Sequence, residues 1–377
     1  MIIGVPKETD PAETRCAMMP ANAARLVKLG ATVQIESGAG HCSGFSDGAF
    51  ASSGATIIQN RAEILATADL LLRVRQPPLA EVNQMKPGAI HISFLDPFKE
   101  KQLVEKLAAR GVSALSLEML PRSTRAQKMD ALTSQASLAG YVATILAAAE
   151  APKVFPLMMT AAGTLSPARV FVVGAGVAGL QAIATAKRLG ARVDAFDTRP
   201  VVEEQVRSLG ARFVKIDIGE TGQTKDGYAK PLTEEQLRKQ REGMKKICAE
   251  SDVVITTAQI FGRKAPVIVT ADTVSAMKAG SVIVDLAVES GGNVEGAVPG
   301  QVIERNGVKI LGHLNLPGRV PFHASQAYST NLTNLLEEFW DKETRRFVLR
   351  LDDEIIQSSL LTHSGQICNP QLKSTKR

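Results

Sequence analysis

The chain has 377 residues, the length of two ordinary domains. Its 45% hydrophobic and 22% charged content supplies apolar cores and excludes a disordered or fibrous chain. The net charge of +6 is spread out, and aromatics make up 4% with no aromatic–basic interleaving, so no nucleic-acid surface is expected. Cys16, Cys42, Cys248 and Cys368 stand far apart with no C-x-x-C pair, and His41, His91, His313, His323 and His363 are equally scattered. No metal site is expected, and the thiols read as reduced, as in cytosol. The first residues lack a signal peptide's charged-then-apolar order. No apolar run reaches the roughly 18 residues of a membrane helix; the nearest, 139–149, is stopped by Glu150 and Lys153. The chain reads as soluble, able to dock on a membrane partner.

Residues 2–5 read as a first strand, 20–29 as a helix closed by Gly30, and 32–36 as a second strand. The segment 37–48 is a glycine-rich loop without a strand–turn–helix context, so a phosphate role is not favoured there. Further strands are expected at 55–58, 70–74, 89–94 and 112–116, with helices between them. This alternation predicts a parallel sheet covered by helices over residues 1–135. The polar stretch 118–135 follows a strand end, where open α/β sheets place ligands. A helix over about 135–149 then crosses towards a second domain, residues 136–321.

The strongest motif lies in that domain. Arg169 to Val173 is a β-branched run suited to a buried parallel strand. Gly174, Gly176 and Gly179 follow in G-x-G-x-x-G spacing, then a helix over 180–189 and a strand over 192–196 that ends at Asp197. One glycine makes the tight turn, one lets the backbone approach a pyrophosphate, and one lets helix and strand pack closely. The pyrophosphate would meet the positive end of the helix. Asp197 can accept hydrogen bonds from a ribose diol and would repel a 2′-phosphate, which favours NAD over NADP; Arg199, two residues on, argues the other way. The bland alternative is a βαβ turn that binds nothing.

A helix at 202–209 and a strand at 213–216 come next. Residues 219–232 are polar and read as a mobile loop with Tyr228 at its tip, followed by helical character over 233–246. Strands at 253–256, 281–286 and 308–311 end in Ala258 and Gln259, in Asp285, and before Asn315. All fall on the carboxyl edge that carries the glycine turn. The expected nucleotide contacts are Gly174, Gly176, Val177, Ala178, Gly179, Asp197, Arg199, Ala258, Gln259, Asp285 and Asn315. A long helix from 324 to about 347 leads into C-terminal helices, 322–377, that return to the first domain.

The assembled pattern resembles the NAD(H)-binding components of proton-translocating nicotinamide nucleotide transhydrogenases, a family that shares its fold with alanine dehydrogenase. Common to both are Ile3-Gly-Val-Pro-Lys-Glu8, Glu13-Thr-Arg15, Gly38-Ala-Gly40 with Ser43-Gly-Phe-Ser-Asp47, the nucleotide motif, and Asp285-Leu-Ala287. The resemblance implies an α/β fold: two Rossmann-like domains with parallel sheets flanked by helices, joined by long helices with a cleft between them. Three features separate the branches. Where alanine dehydrogenases hold the keto acid with a lysine and a histidine, this chain has Arg75 and Asp96. An arginine stays protonated, and an aspartate is a poor stand-in for imidazole. Arg122, Gln127 and Asp130 match the transhydrogenase loop that contacts nicotinamide, with Thr133 at its serine position. Gly227-Tyr-Ala-Lys230 matches its mobile lid, which places Tyr228 over bound nucleotide, although Pro231 and Leu232 replace the usual Glu-Met.

The resemblance implies NAD(H) on this chain and NADP(H) on a partner subunit. It also implies a homodimer, a membrane subunit and an NADP(H)-binding subunit as partners, no direct membrane insertion, and a cytoplasmic location peripheral to the cell membrane. Hydride transfer would be catalysed around Arg122, Gln127, Asp130, Thr133 and Tyr228. The alternatives are an alanine dehydrogenase-like, NAD-dependent amino-acid dehydrogenase and an NAD(H)-binding module without catalysis.

Overall fold

Short apolar runs build the first sheet: β1 Ile2–Val5, β2 Thr32–Glu36, β3 Thr56–Ile58, β4 Leu70–Leu72, β5 Ile90–Ser93 and β6 Ser113–Ser116. All six pair in parallel in the order β3-β2-β1-β4-β5-β6, the doubly wound order. The switch in direction falls between β1 and β4. The computed structural model describes residues 1–219, 221–222, 232–259 and 262–373. It divides into one unit of Met1–Gln135 with Gly318–Arg377 and another of Ala136–Pro317. The second boundary lies before 321, since Thr14 Oγ1 donates to the Gly318 carbonyl and ties that turn to the first unit.

The second unit opens with a hairpin for which the sequence carries no clear signal, β7 Met158–Thr160 and β8 Gly163–Leu165. Its sheet repeats the first sheet's order: β9 Arg169–Val173, β10 Arg192–Phe196, β11 Arg212–Phe213, β12 Val253–Thr256, β13 Val282–Asp285, β14 Val302–Arg305 and β15 Val308–Leu311 are arranged β11-β10-β9-β12-β13-β15-β14. Only β14 runs antiparallel, turned back by Asn306 and Gly307, both at positive φ. The switch falls between β9 and β12, beside the glycine turn. Phe171, Val173, Val254, Ile283 and Ile310 form the core under that edge.

Helix Ala131–Glu150 carries the chain from the first unit into the second. It starts earlier than expected because Asp130 caps it. Among the described residues it is the one helix long and apolar enough to cross a membrane, by length and composition only. Gly140 brings it against helix Val177–Arg188, where a Cβ would overlap the Ala178 carbonyl.

The C-terminal segment differs from the expected run of helices. Helix Pro321–Glu338 stops short of residue 347 and is followed by a small hairpin, β16 Trp340–Asp341 and β17 Arg346–Phe347. Asp341 fixes its turn by accepting the Glu343 and Thr344 amides at 2.9 and 2.8 Å. β18 Leu360–His363 then adds to the first sheet antiparallel to β6, with β19 Gln366–Ile367 beyond it. Tyr328, Leu332, Leu335 and Leu336 of the long helix lie in the first unit's core.

Candidate functional site

At the end of β9 the chain turns at once. Gly174 has φ +95°, and a Cβ there would stand 2.6 Å from Thr257 Oγ1. That hydroxyl donates to the Val173 and Gly174 carbonyls, at 3.3 and 3.1 Å, and so joins the ends of β9 and β12. A Cβ on Gly179 would overlap the Gly174 carbonyl oxygen. Both glycines are therefore demanded by the protein itself. Gly176 is not. Its φ of −79° suits any residue, and no heavy atom lies within 4 Å of the Cβ it lacks. It is the N-cap of helix Val177–Arg188, so Val177 and Ala178 supply first-turn amides with no partner along the helix. Open backbone at a helix N-terminus fits a pyrophosphate.

Asp197 follows β10, its side chain 6% exposed. Its Oδ2 accepts the Ala175 amide at 2.7 Å and Arg199 Nη2 at 2.8 Å. Its Oδ1 accepts the Arg199 amide and Nε at 2.8 and 2.9 Å. Arg199 is thus paired with the acid, which raises the guanidinium pKa through that side-chain hydrogen bond.

The loop after β12 is held from behind. Asn293 Oδ1 accepts the Ala258 amide at 3.0 Å, and its Nδ2 donates to the Ala258 and Pro266 carbonyls, both at 2.9 Å. Asp285 is buried. It accepts Thr256 Oγ1 at 3.2 Å and the amides of Ala287, Asn293 and Val294 at 2.9, 2.8 and 3.1 Å. Burial pushes its carboxyl up despite these bonds. Asp285, expected among the nucleotide contacts, turns its oxygens to the protein and fixes the loop that carries Asn293. Gln259 donates to the Leu286 carbonyl at 3.0 Å, and the Asn315 amide donates to Glu289 Oε1 at 2.7 Å. Asn293 and Glu289 are absent from the sequence-based site. A buried asparagine reveals its partners only in three dimensions.

The loop expected at the nicotinamide lies in the first unit. Ala126 and Met129 are buried, and the Lys128 carbonyl accepts the side-chain amides of Asn331 and Asn334 at 3.0 and 2.8 Å. Arg125 pairs with Asp353 and Glu338. These contacts pin the loop to helix Pro321–Glu338 and leave Arg122 and Gln127 exposed. Asp130 takes the Thr133 amide on Oδ1 at 2.8 Å and the Thr133 hydroxyl on Oδ2 at 2.6 Å. Threonine here keeps a hydroxyl at the position where the resemblance implies a serine. Asp130→Ala should cost about 1 kcal/mol of first-unit stability through loss of the cap, read by thermal unfolding. Tyr228 lies outside the described residues.

The first unit's own switch point holds charge rather than a small-molecule base. Arg15 forks onto Glu13 at 2.7 and 2.6 Å and donates to Gln135 Oε1 at 2.9 Å; Arg75 Nε reaches the same Glu13 at 2.9 Å. Asp96, at φ +42°, pairs with Lys99 at 3.0 Å. His91 is buried in β5, and burial takes its pKa down to about 3, so it is neutral at neutral pH. Burial alone would raise Glu13, but the Arg15 bonds and charge outweigh it and bring it down to about 2. A depressed carboxyl stabilises the fold above its unfolded value and loses that contribution as pH falls through about 2. Glu13→Gln should remove roughly 3 kcal/mol at neutral pH and flatten acid unfolding over that window, measured by denaturant titration at several pH values. Glu8, which burial pushes up to about 7, acts in the opposite sense, its contribution lost as pH rises towards that value, and the Glu13 charge that helps raise it is removed in Glu13→Gln.

Two doubly wound sheets, one with a glycine turn open at a helix N-terminus, define a two-domain Rossmann-like protein of nucleotide-binding type. Known proteins agree. The family "Alanine dehydrogenase/PNT, N-terminal domain" matches residues 4–139, and the corresponding C-terminal domain matches residues 143–370. The chain belongs to the alanine dehydrogenase/PNT family. It is 46% identical to an NAD(P) transhydrogenase subunit alpha chain of Rhodospirillum rubrum, over 99% of both chains. It superposes on the crystal structure of transhydrogenase from Sinorhizobium meliloti with a TM-score of 0.86 at 42% identity, covering 98% of this chain and 100% of that one. Alanine dehydrogenase of Mycolicibacterium smegmatis is more distant, 29% identical over 97% of this chain and 94% of its own.

Proposed function

We propose that this chain is the NAD(H)-binding subunit of a proton-translocating NAD(P)+ transhydrogenase, exchanging hydride with NADP(H) held on a partner subunit. The observation that carries the choice is Arg75: at the position of the dehydrogenase lysine stands a guanidinium already paired with Glu13. With Asp96 in place of the histidine, the residues for protonating a keto acid are missing at the positions where that chemistry needs them. The greater identity to transhydrogenase chains supports the same choice.

The bound nicotinamide would supply the hydride chemistry. This chain's residues then position and shield, because hydride exchange moves no separate proton and needs no general acid or base. Gly176, Val177 and Ala178 would receive the pyrophosphate, and Asp197 the adenosine ribose. The Ala258–Gln259 loop, braced by Asn293 and Asp285, and Asn315 would border the nicotinamide half. Gln127 and Asp130 would fix the carboxamide, Arg122 and Thr133 would orient that loop, and Tyr228 would close the lid. Proton translocation would belong to a membrane subunit, which would keep this chain peripheral on the cytoplasmic face.

A second copy of this chain fits the hairpin β7–β8. Leu157, Met158, Met159 and Leu165 are exposed there, Met159 by 81%, and an isolated two-stranded hairpin has little stability of its own. That supports a homodimer. The test of the reading against its runner-up is direct: the purified chain should bind NADH yet leave it unoxidised with pyruvate and ammonia. Turnover in that mixture would establish the amino-acid dehydrogenase instead.

A further inference from the structure

Resting on the nucleotide reading above, we infer that Arg199 is a built-in competitor for the ribose site, setting how tightly the chain holds NAD(H) and how sharply it rejects a 2′-phosphate. A carboxylate offers about four lone-pair positions. At Asp197 all are used: Oδ2 by the Ala175 amide and Arg199 Nη2, Oδ1 by the Arg199 amide and Nε, at 2.7 to 2.9 Å. Two of these donors are main-chain amides, one in the glycine turn and one two residues past the acid. They cannot leave without moving the backbone. A vicinal diol needs two acceptor positions on the acid. Those that can be vacated cheaply are the two held by the guanidinium.

Ribose and Arg199 therefore contend for the same lone pairs. The fork is charge-assisted and geometrically matched, with the two side chains 13% and 6% exposed, so breaking it subtracts from the affinity the diol would otherwise gain. The displaced guanidinium stays tethered beside the ribose as a positive charge. That charge softens the repulsion between Asp197 and a 2′-phosphate. Arg199 thus weakens NADH binding and blunts discrimination against NADPH. Loose binding suits a subunit that must release its nucleotide each turnover.

The test is a fluorescence titration of the full chain with NADH and with NADPH, comparing wild type, Arg199→Ala and Arg199→Lys. Arg199→Ala should bind NADH about fivefold or more tightly and widen the ratio of NADPH to NADH dissociation constants by at least as much. Arg199→Lys keeps a charge but cannot fork, so it should tighten NADH by an intermediate factor and leave the ratio closer to wild type. It also keeps the test decisive if the alanine variant folds poorly. NADH binding that is unchanged or weaker in the folded variants overturns the inference and makes Arg199 a plain support of the turn or a direct nucleotide contact. Wild-type protein that binds no NADH overturns the nucleotide reading itself, a separate and recognisable result.

Discussion

Gly176→Ala should leave the fold intact and weaken nucleotide binding by about tenfold or more, whereas Gly179→Ala should damage the fold itself. The two positions belong to one motif, but the structure gives them opposite constraints. At Gly179 a methyl group would overlap the Gly174 carbonyl, and the turn has nowhere to go because Thr257 closes it from the other side. Overpacking against backbone costs about 3 kcal/mol or more. Gly176 has an ordinary φ and open space, so alanine there fits without strain and costs only about 1 kcal/mol as a poorer N-cap. The methyl group would instead occupy the approach of the pyrophosphate to the helix N-terminus. Thermal unfolding beside an NADH titration separates the two outcomes. A Gly176→Ala protein that binds NADH as tightly as wild type would remove the phosphate from this turn.

Glu81→Ala should be among the most destabilising changes in the first unit, by about 3–5 kcal/mol. Arg73 has no exposed surface, and its Nη2 donates to Glu81. Glu81 also accepts Arg61 Nη1 at 2.9 Å, and Arg61 in turn reaches Glu36 at 3.0 Å. Removing Glu81 takes its carboxylate hydrogen bond from a buried guanidinium whose Nε and Nη1 already lack hydrogen-bond partners among the described residues, and leaves Glu8 as the nearby acid. The loss should lower the unfolding midpoint by roughly 6–20 °C. Arg73→Met is the informative companion. It fills a similar volume without charge, so it should be far milder than Glu81→Ala, and could even stabilise the unit. Equal losses from both variants would mean that the ion pair is itself net stabilising, and that the loss in Glu81→Ala does not come from the charge it leaves behind.

The strand–helix alternation and the glycine turn were legible in the sequence because local geometry dictates them, whereas the order of the strands in each sheet comes only from the structure. A tight turn after a buried strand needs Gly174, close helix packing needs Gly179, and the next strand ends at Asp197. The C-terminal return was legible only as helices. β18 joins the first sheet through a register with β6 some 250 residues earlier in the chain, which no local pattern reports. The β14–β15 hairpin did leave a signal, the Asn306–Gly307 pair, whose left-handed conformations suit a tight turn. Asp285 was legible as a strand-end acid, but not the direction in which it points. Its burial and its bonds to Asn293 depend on a loop that folds back from residues 287–294. Arg199 was visible as a charge near Asp197, and only the structure pairs the two.

The most direct test of the account is to mix the purified chain with the membrane subunit and the NADP(H)-binding subunit of a transhydrogenase, supply NADPH and an oxidised NAD analogue, and follow reduction of the analogue. Reduction that requires all the subunits, and that falls when Gln127 or Asp130 is replaced by alanine in protein that still folds, is the predicted result. A chain that binds NADH but gives no reduction in the mixture, under conditions where a known NAD(H)-binding subunit restores it, would contradict the central claim.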